Sequence, residues 1–223
     1  PPFPALTGLV LDGSFTKRLK GVRCQAAVSI LRGERIVRTE AGEIQFTEDG
    51  LSGIPVLGMA RSVHEIHSAG ENASIQINLF PEWSAAQVSA HLAERFRMPG
   101  DVSAGDALVS LIHKRLIPVL LKACGVDAGR NCSGLPGSGL ENLVTILTGW
   151  RIPVSGTRSW NDAQVTAGGV AVDEIRPQTL ESARLSGLFF AGELIDVDGD
   201  CGGYNLQWAW SSGRVAGTHA ARS

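Results

Sequence analysis

Apolar and polar positions alternate in short runs from Leu9 to about Phe46. "GLVL", "RCQAAVSI", "RIVRT" and "EIQFT" each read as a strand, and "LDGS", "RGE" and "AGE" read as the turns between them. The pattern predicts a small antiparallel sheet or barrel. "ASIQINLF" (73–80) alternates in the same way and adds a strand that ends at Pro81. Between these segments, "LSGIPVLGMARSVHE" predicts a short helix with Pro55 in its first turn.

The period then lengthens. Ser84 and Gln87 stand at the spacing where each side chain can bond the other's backbone amide at a helix start, and Val88, Leu92 and Phe96 follow as one stripe. A second helix is predicted from Gly105 to Ala123, with Leu108, Leu111, Ile112, Leu116, Val119 and Leu120 on one face and Pro118 bending its end. "SGLENLVTILTGW" predicts a third, capped by Ser138 and closed at Gly149. Strands return after Trp150 as "RIPVSG", "AQVTAGGVAV" and "GLFFAGE", and "GYNLQWAWSSGRVAGTHAA" forms a final helix. The expected fold class is α+β: residues 1–160 as a barrel-like sheet with a helical subdomain at about 84–150, then a βα tail over 161–223.

Composition narrows the partners. The 223 residues are 43% hydrophobic, enough for a substantial core, and 20 Lys and Arg stand against 22 acidic residues for a net charge of −2. Such a balance offers no overall field to gather nucleic acid or anionic lipid, and those partners are disfavoured. No apolar run approaches the roughly 18–20 residues of a membrane span, and "PPFPALTGLV" lacks the basic segment of a secretion signal, which reads as a cytoplasmic protein. Cys24, Cys124, Cys132 and Cys201 lack CxxC spacing and point to neither zinc nor a disulfide framework. The chain opens on proline rather than methionine, as a fragment would.

The densest chemistry lies in "GLFFAGELIDVDGDCGGYN" (187–205). Leu188, Phe189 and Phe190 read as a strand buried on both faces, and Gly202 and Gly203 fall where the next helix starts, so a ligand could approach the backbone and meet free amides. Leu206, Trp210, Gly213 and Gly217 share one stripe of that helix, which implies close packing. The same pattern also suits a tight turn and a glycine-rich core helix with no ligand. Asp196, Asp198 and Asp200 alternate as in a calcium loop, but the sixth position would be Cys201 and the twelfth Gln207, so the register fails. His64 and His67 lack a third ligand, "GVDAGRNCSGLPGSG" lacks a phosphate-loop lysine, and Cys132 has no identifiable histidine partner. No metal site and no catalytic acid or base is indicated.

"VTAGGVAVDEIRPQTLESARLSGLFFAGELIDVDGDCGGYNLQWAWSSGRVAG" closely resembles the C-terminal flavin-binding segment of the BaiN-like (aminoacetone oxidase-like) family of bacterial NAD(P)/FAD-dependent oxidoreductases. In that family a barrel and helical insertion interrupts an FAD-binding Rossmann-type domain, and "GLSGIPVL" with the sheet, helix, sheet order is in keeping with the insertion. "GLFFAGE" is similar to "GLYAAGE" of the succinate dehydrogenase and fumarate reductase flavoproteins. The resemblance implies that Glu193 bonds the ribityl hydroxyls of FAD with help from Asp196. It further implies that Gly202, Gly203, Tyr204, Asn205 and Leu206 face the pyrimidine edge of the isoalloxazine, and that Gly168, Gly169 and Val170 border it from another strand. NAD(P)H is the implied reductant and an unidentified small molecule the implied acceptor. The family's N-terminal GxGxxG loop has no counterpart here, so the expectation is a piece lacking the nucleotide-binding half, which alone holds no FAD and turns nothing over. The competing expectation is a non-catalytic binding or dimerisation module.

Overall fold

Six strands close into a barrel in the order β2 (Leu9–Leu11), β5 (Gly50–Ser52), β4 (Arg35–Phe46), β3 (Arg23–Arg32), β6 (Ala73–Asn78) and β7 (Trp150–Thr157). The computed structural model describes residues 1–97, 100–132 and 135–222. Alternation decides which faces are buried. Ala73, Ile75 and Ile77 of β6 and Trp150, Ile152 and Val154 of β7 are buried, while Arg151, Pro153 and Ser155 between them face solvent. Trp150 lies 4.9 Å from the Phe15 ring and 6.2 Å from that of Phe46, closing one part of this core.

The α+β class stands, with several local corrections. "RIVRT", "AGE" and "EIQFT" are one continuous strand: the antiparallel ladder runs on through Ala26↔Gly42, because the paired backbone of β3 outweighs the turn propensity of a single glycine. A short helix, α1 (Phe15–Leu19), follows the "LDGS" turn in a stretch where no element was expected. The helix around Pro55 is two pieces, α2 (Ile54–Leu57) and α3 (Ala60–Ser68).

α4 (Ala85–Phe96) carries the full capping box of Ser84 and Gln87 and buries Val88, Leu92 and Phe96. The expected helix from Gly105 to Ala123 breaks into α5 (Ala104–Ala107) and α6 (Ile117–Ala123). Pro118 sits in the first turn of α6, where its missing amide costs nothing, and Ser110 at φ 73° cannot continue a right-handed helix. α7 (Gly137–Gly149) ends at Gly149 as expected, but its cap is Pro136, with no side-chain bond, rather than Ser138. It packs on α4 and β6. Residues 133 and 134 of the glycine-rich loop lie outside the described residues.

The chain divides into two compact units: residues 9–56 and 62–156 form the larger, and residues 1–8, 57–61 and 157–223 form the smaller. In the smaller unit, β1 (Phe3–Ala5) pairs with β8 (Val165–Ala167), all that remains of the longer strand expected over 163–172. "GLFF" makes no sheet strand. It is extended and pairs only with 180–182, through Ser182 N to Leu188 O at 2.7 Å and Phe190 N to Leu180 O at 2.9 Å. Its phenylalanines are half-buried and Leu188 is 40% exposed, so burial on both faces is not observed. Ile175, Leu180, Ile195 and Ala216 form the core of this unit. α8 (Tyr204–Ala220) turns Ser212 and Ala216 inward, while Leu206, Trp210, Gly213 and Gly217 face outward. The expected close-packed stripe is the exposed one, because the helix anchors through Trp208 and Ser212 instead.

Candidate functional site

The site begins with a clamp on the turn before Glu193. Gly192 donates its amide to Ser212 Oγ at 2.8 Å, its carbonyl accepts from Trp208 Nε1 at 3.1 Å, and Ser212 Oγ donates to Trp208 O at 2.6 Å. Both backbone polar groups of Gly192 are thereby tied to α8. A 3-10 turn over Gly192–Leu194 follows and delivers Glu193 to the surface. Beyond it, Leu194 O accepts from Val170 N and Val170 O accepts from Asp196 N, each at 2.9 Å, which aligns Val170 and Ile195 as a parallel bridge.

Glu193 accepts a hydrogen bond from the Thr166 amide and lines a cavity of about 440 Å³. Gly202, Gly203, Asn205, Leu206 and Trp208 line the same cavity. Gly203, at φ 93°, caps α8 without a side chain, so the amides of the first turn stay open and the positive end of the helix dipole is undiluted. Asn205 holds the approach loop: it accepts from Gly199 N at 2.8 Å and donates to Gly199 O at 2.9 Å. The cavity therefore offers a carboxylate acceptor on one side and backbone donors on the other. Such a pair suits a ligand with hydroxyl groups at one place and an electron-rich carbonyl or anion at another.

Five of the residues singled out in the sequence, Glu193, Gly202, Gly203, Asn205 and Leu206, thus share one cavity. Tyr204 stands at the same helix end, 66% exposed. Asp196 is placed elsewhere: its Oδ1 accepts from the Gly168 amide at 3.1 Å and lies 3.4 Å from Arg61 Nη2. Gly169 abuts the chain so closely that a Cβ there would stand 2.4 Å from Leu194 O. Val170 joins this second cluster through its bonds to Leu194 and Asp196.

Arg61, which also pairs with Asp198, was missed in the sequence, as were Leu6, Gln164 and Val165 on the cavity wall. A lone arginine 135 residues from its carboxylate carries no local signal. An adjoining apolar groove of about 350 Å³, bounded by Ile175, Leu180, Ile195, Trp208 and Val215, offers no charged group.

Elsewhere the chemistry is quiet. Burial, then the charge of Asp106, raises the Cys132 thiol above its ordinary value, which disfavours the nucleophilic thiolate. Among the described residues no group of three or more His, Cys, Asp or Glu is placed to hold a metal ion. Among them, too, no helix is long and apolar enough to cross a membrane.

The sequence profile described as HI0933-like protein Rossmann domain matches residues 21–219. The chain belongs to this family. It is 35% identical over 221 residues, 99% of this chain and 54% of the other, to a 3-dehydro-bile acid delta(4,6)-reductase of Clostridium scindens. It is 35% identical over 214 residues, 94% of this chain and 50% of the other, to a ribosomal RNA dihydrouridine synthase of Escherichia coli. A protein of the same description from Haemophilus influenzae is 29% identical over 198 residues, 89% of this chain and 46% of the other. The chain spans about half the length of the curated relatives it matches.

Proposed function

We propose that this chain supplies one wall of an FAD site in an oxidoreductase that reduces a conjugated carbon–carbon double bond at the expense of NAD(P)H. The observation that carries the reading is the meeting of the Glu193 carboxylate with Gly202, Gly203 and the uncapped start of α8 at one cavity. Flavin fits that donor set, having hydroxyls on its ribityl chain and carbonyl oxygens on its ring. When bound, FAD supplies the two-electron chemistry.

The residues of the chain bind and orient. Glu193 accepts from ribityl hydroxyls, each charge-assisted bond contributing about 1.5–3 kcal/mol. Gly202 and Gly203 put no side chain between ligand and backbone. The amides of Tyr204, Asn205 and Leu206 donate towards the pyrimidine edge, where the helix dipole stabilises negative charge. Gly168, Gly169 and Val170 border the ring from the second cluster, with Asp196 holding the Gly168 amide in place. The ADP half of the cofactor is assigned to a dinucleotide-binding segment outside these residues, in keeping with the half-length coverage of the relatives. On this reading residues 9–56 and 62–156 are the insertion, and residues 157–223, joined by 1–8 and 57–61 rather than starting at 161, are the end of the cofactor domain.

The acceptor class comes from the chemistry shared by the relatives' names. A delta(4,6)-reductase of a 3-oxo steroid acid and a synthase making dihydrouridine from uridine both saturate a C=C bond conjugated to a carbonyl. In the net reaction NAD(P)H gives a hydride to the β-carbon, solvent gives a proton to the α-carbon, and NAD(P)⁺ and the saturated carbonyl compound result.

The test is FAD titration of the chain and of the complete product of its reading frame. A stoichiometric yellow complex, lost in Glu193→Ala and Gly203→Trp and oxidising NAD(P)H when an α,β-unsaturated ketone is added, supports the reading. A colourless complete protein overturns it. A second reading, a binding or dimerisation module, draws on the outward face of α8, where Leu206 is 63% and Trp210 70% exposed. It would gain from that colourless outcome.

A further inference from the structure

We propose that Arg61 is the positioning residue of this cofactor wall; its consequence for FAD rests on the flavin reading above, its structural role does not. Arg61 stands in the first turn of α3 and belongs to the smaller unit together with Asp196, Asp198 and Phe3. Its guanidinium pairs with Asp198 through Nη1, lies 3.4 Å from Asp196 Oδ1 through Nη2, and sits 5.8 Å from the centroid of the Phe3 ring. This one planar group joins its own helix to two segments distant in sequence, the first strand and the 196–198 loop.

Each partner leads to the site. Asp196 Oδ1 also accepts from the Gly168 amide at 3.1 Å, so the Arg61 charge fixes the carboxylate that fixes the glycine wall. Phe3 pairs with Ala167, the residue before Gly168, so the ring that Arg61 covers belongs to the strand alongside. Asp198 precedes Gly199, whose amide and carbonyl are both held by Asn205 at the entry to α8. The loop from Glu193 to Gly203 is thus pinned near its middle by Arg61, with the carboxylate of the cavity at one end and the open amides at the other. A shift of its middle moves the two against each other.

Burial and geometry make arginine specific here. The Asp198 side chain is only 9% exposed, and a carboxylate so enclosed is costly without its counter-charge. Two carboxylates served by two different nitrogens need the guanidinium fork, whereas the single ammonium of lysine is a point charge. Arg61→Gln strands Asp198 and frees Asp196; Arg61→Lys restores charge without the fork.

The experiment, on the complete product of the reading frame, combines amide exchange, FAD binding and the potential of bound flavin, for wild type, Arg61→Gln, Arg61→Lys, Arg61→Gln with Asp198→Asn, and Arg32→Gln as a control in the larger unit. In Arg61→Gln, exchange at Gly168 and Gly199 accelerates at least about tenfold while Ile75 and Ile77 in the barrel stay protected. The Kd for FAD rises about 10- to 100-fold, as expected for loss of a charged hydrogen-bond network. Flavin bound at saturation shows a shifted midpoint potential. Arg61→Lys lies between, the double variant recovers part of the loss, and Arg32→Gln matches wild type. Exchange at Gly168 and Gly199 within twofold of wild type in Arg61→Gln overturns the proposal, as does acceleration of barrel amides to the same degree. Wild-type protein that binds no FAD removes the flavin reading instead, and the exchange arm still decides the role of Arg61.

Discussion

Ser212→Ala tests whether α8 sets the position of Glu193. Ser212 is 2% exposed, and its hydroxyl is the acceptor for the Gly192 amide at 2.8 Å. Alanine leaves that amide facing a methyl group in a site closed to water, a loss of about 1–3 kcal/mol. Alanine also ends the back-bond from Ser212 Oγ to Trp208 O and is the better helix former, a return of roughly 0.5 kcal/mol. The net loss is about 0.5–2.5 kcal/mol, or roughly 1–10 °C in Tm for a chain of this size. Thermal melts followed by tryptophan fluorescence measure it, with exchange at the Gly192 amide as the local probe. Trp208→Phe, which removes the indole donor to Gly192 O together with part of the ring packed on the Ile175 cluster, should loosen the same glycine, and the two changes should combine non-additively because both act on it. A Ser212→Ala protein with unchanged Tm and a Gly192 amide as protected as before would refute the clamp.

Other consequences follow from packing and charge. Gly169→Ala should cost more stability than Gly203→Ala: both residues have positive φ, but an added Cβ at 169 stands 2.4 Å from Leu194 O, whereas at 203 it meets nothing within 4 Å, and parallel melts will rank them. Leu92→Ala, at a position 1% exposed on α4, should lose about 2–5 kcal/mol in urea unfolding, while Ser84→Ala, which breaks the capping box, loses about 1 kcal/mol. Burial first, and the Glu43 charge second, raise the Cys24 thiol from 9.0 to about 11. With the folded value above the unfolded one, its contribution to stability is complete below pH 9 and is lost as pH climbs through 11; alkylation of Cys24 in the folded chain should keep accelerating over that window rather than level off near pH 9.

Much was legible in the sequence wherever the physics is local. Alternation in "ASIQINLF" fixes β6 because its period of two places Ala73, Ile75 and Ile77 on one face. Ser84 and Gln87 mark the start of α4 because the capping box involves only neighbouring backbone amides. Gly202 and Gly203 ahead of an apolar helix likewise announced an open helix end, since left-handed backbone at that point is a property of the residue itself.

What only the tertiary structure decided depends on partners far along the chain. Gly42 reads as a turn until β3 pairs across it, and "GLFF" reads as a buried strand although its neighbours supply just one short pairing with 180–182. The outward stripe of α8 was misjudged because periodicity groups residues on a face without saying which face turns inward; Ser212 and Trp208 settle that by bonding Gly192. Arg61 is the clearest case. Its ion pairs with Asp196 and Asp198 join residues whose sequence separation hides them, and only the folded backbone brings these charges together.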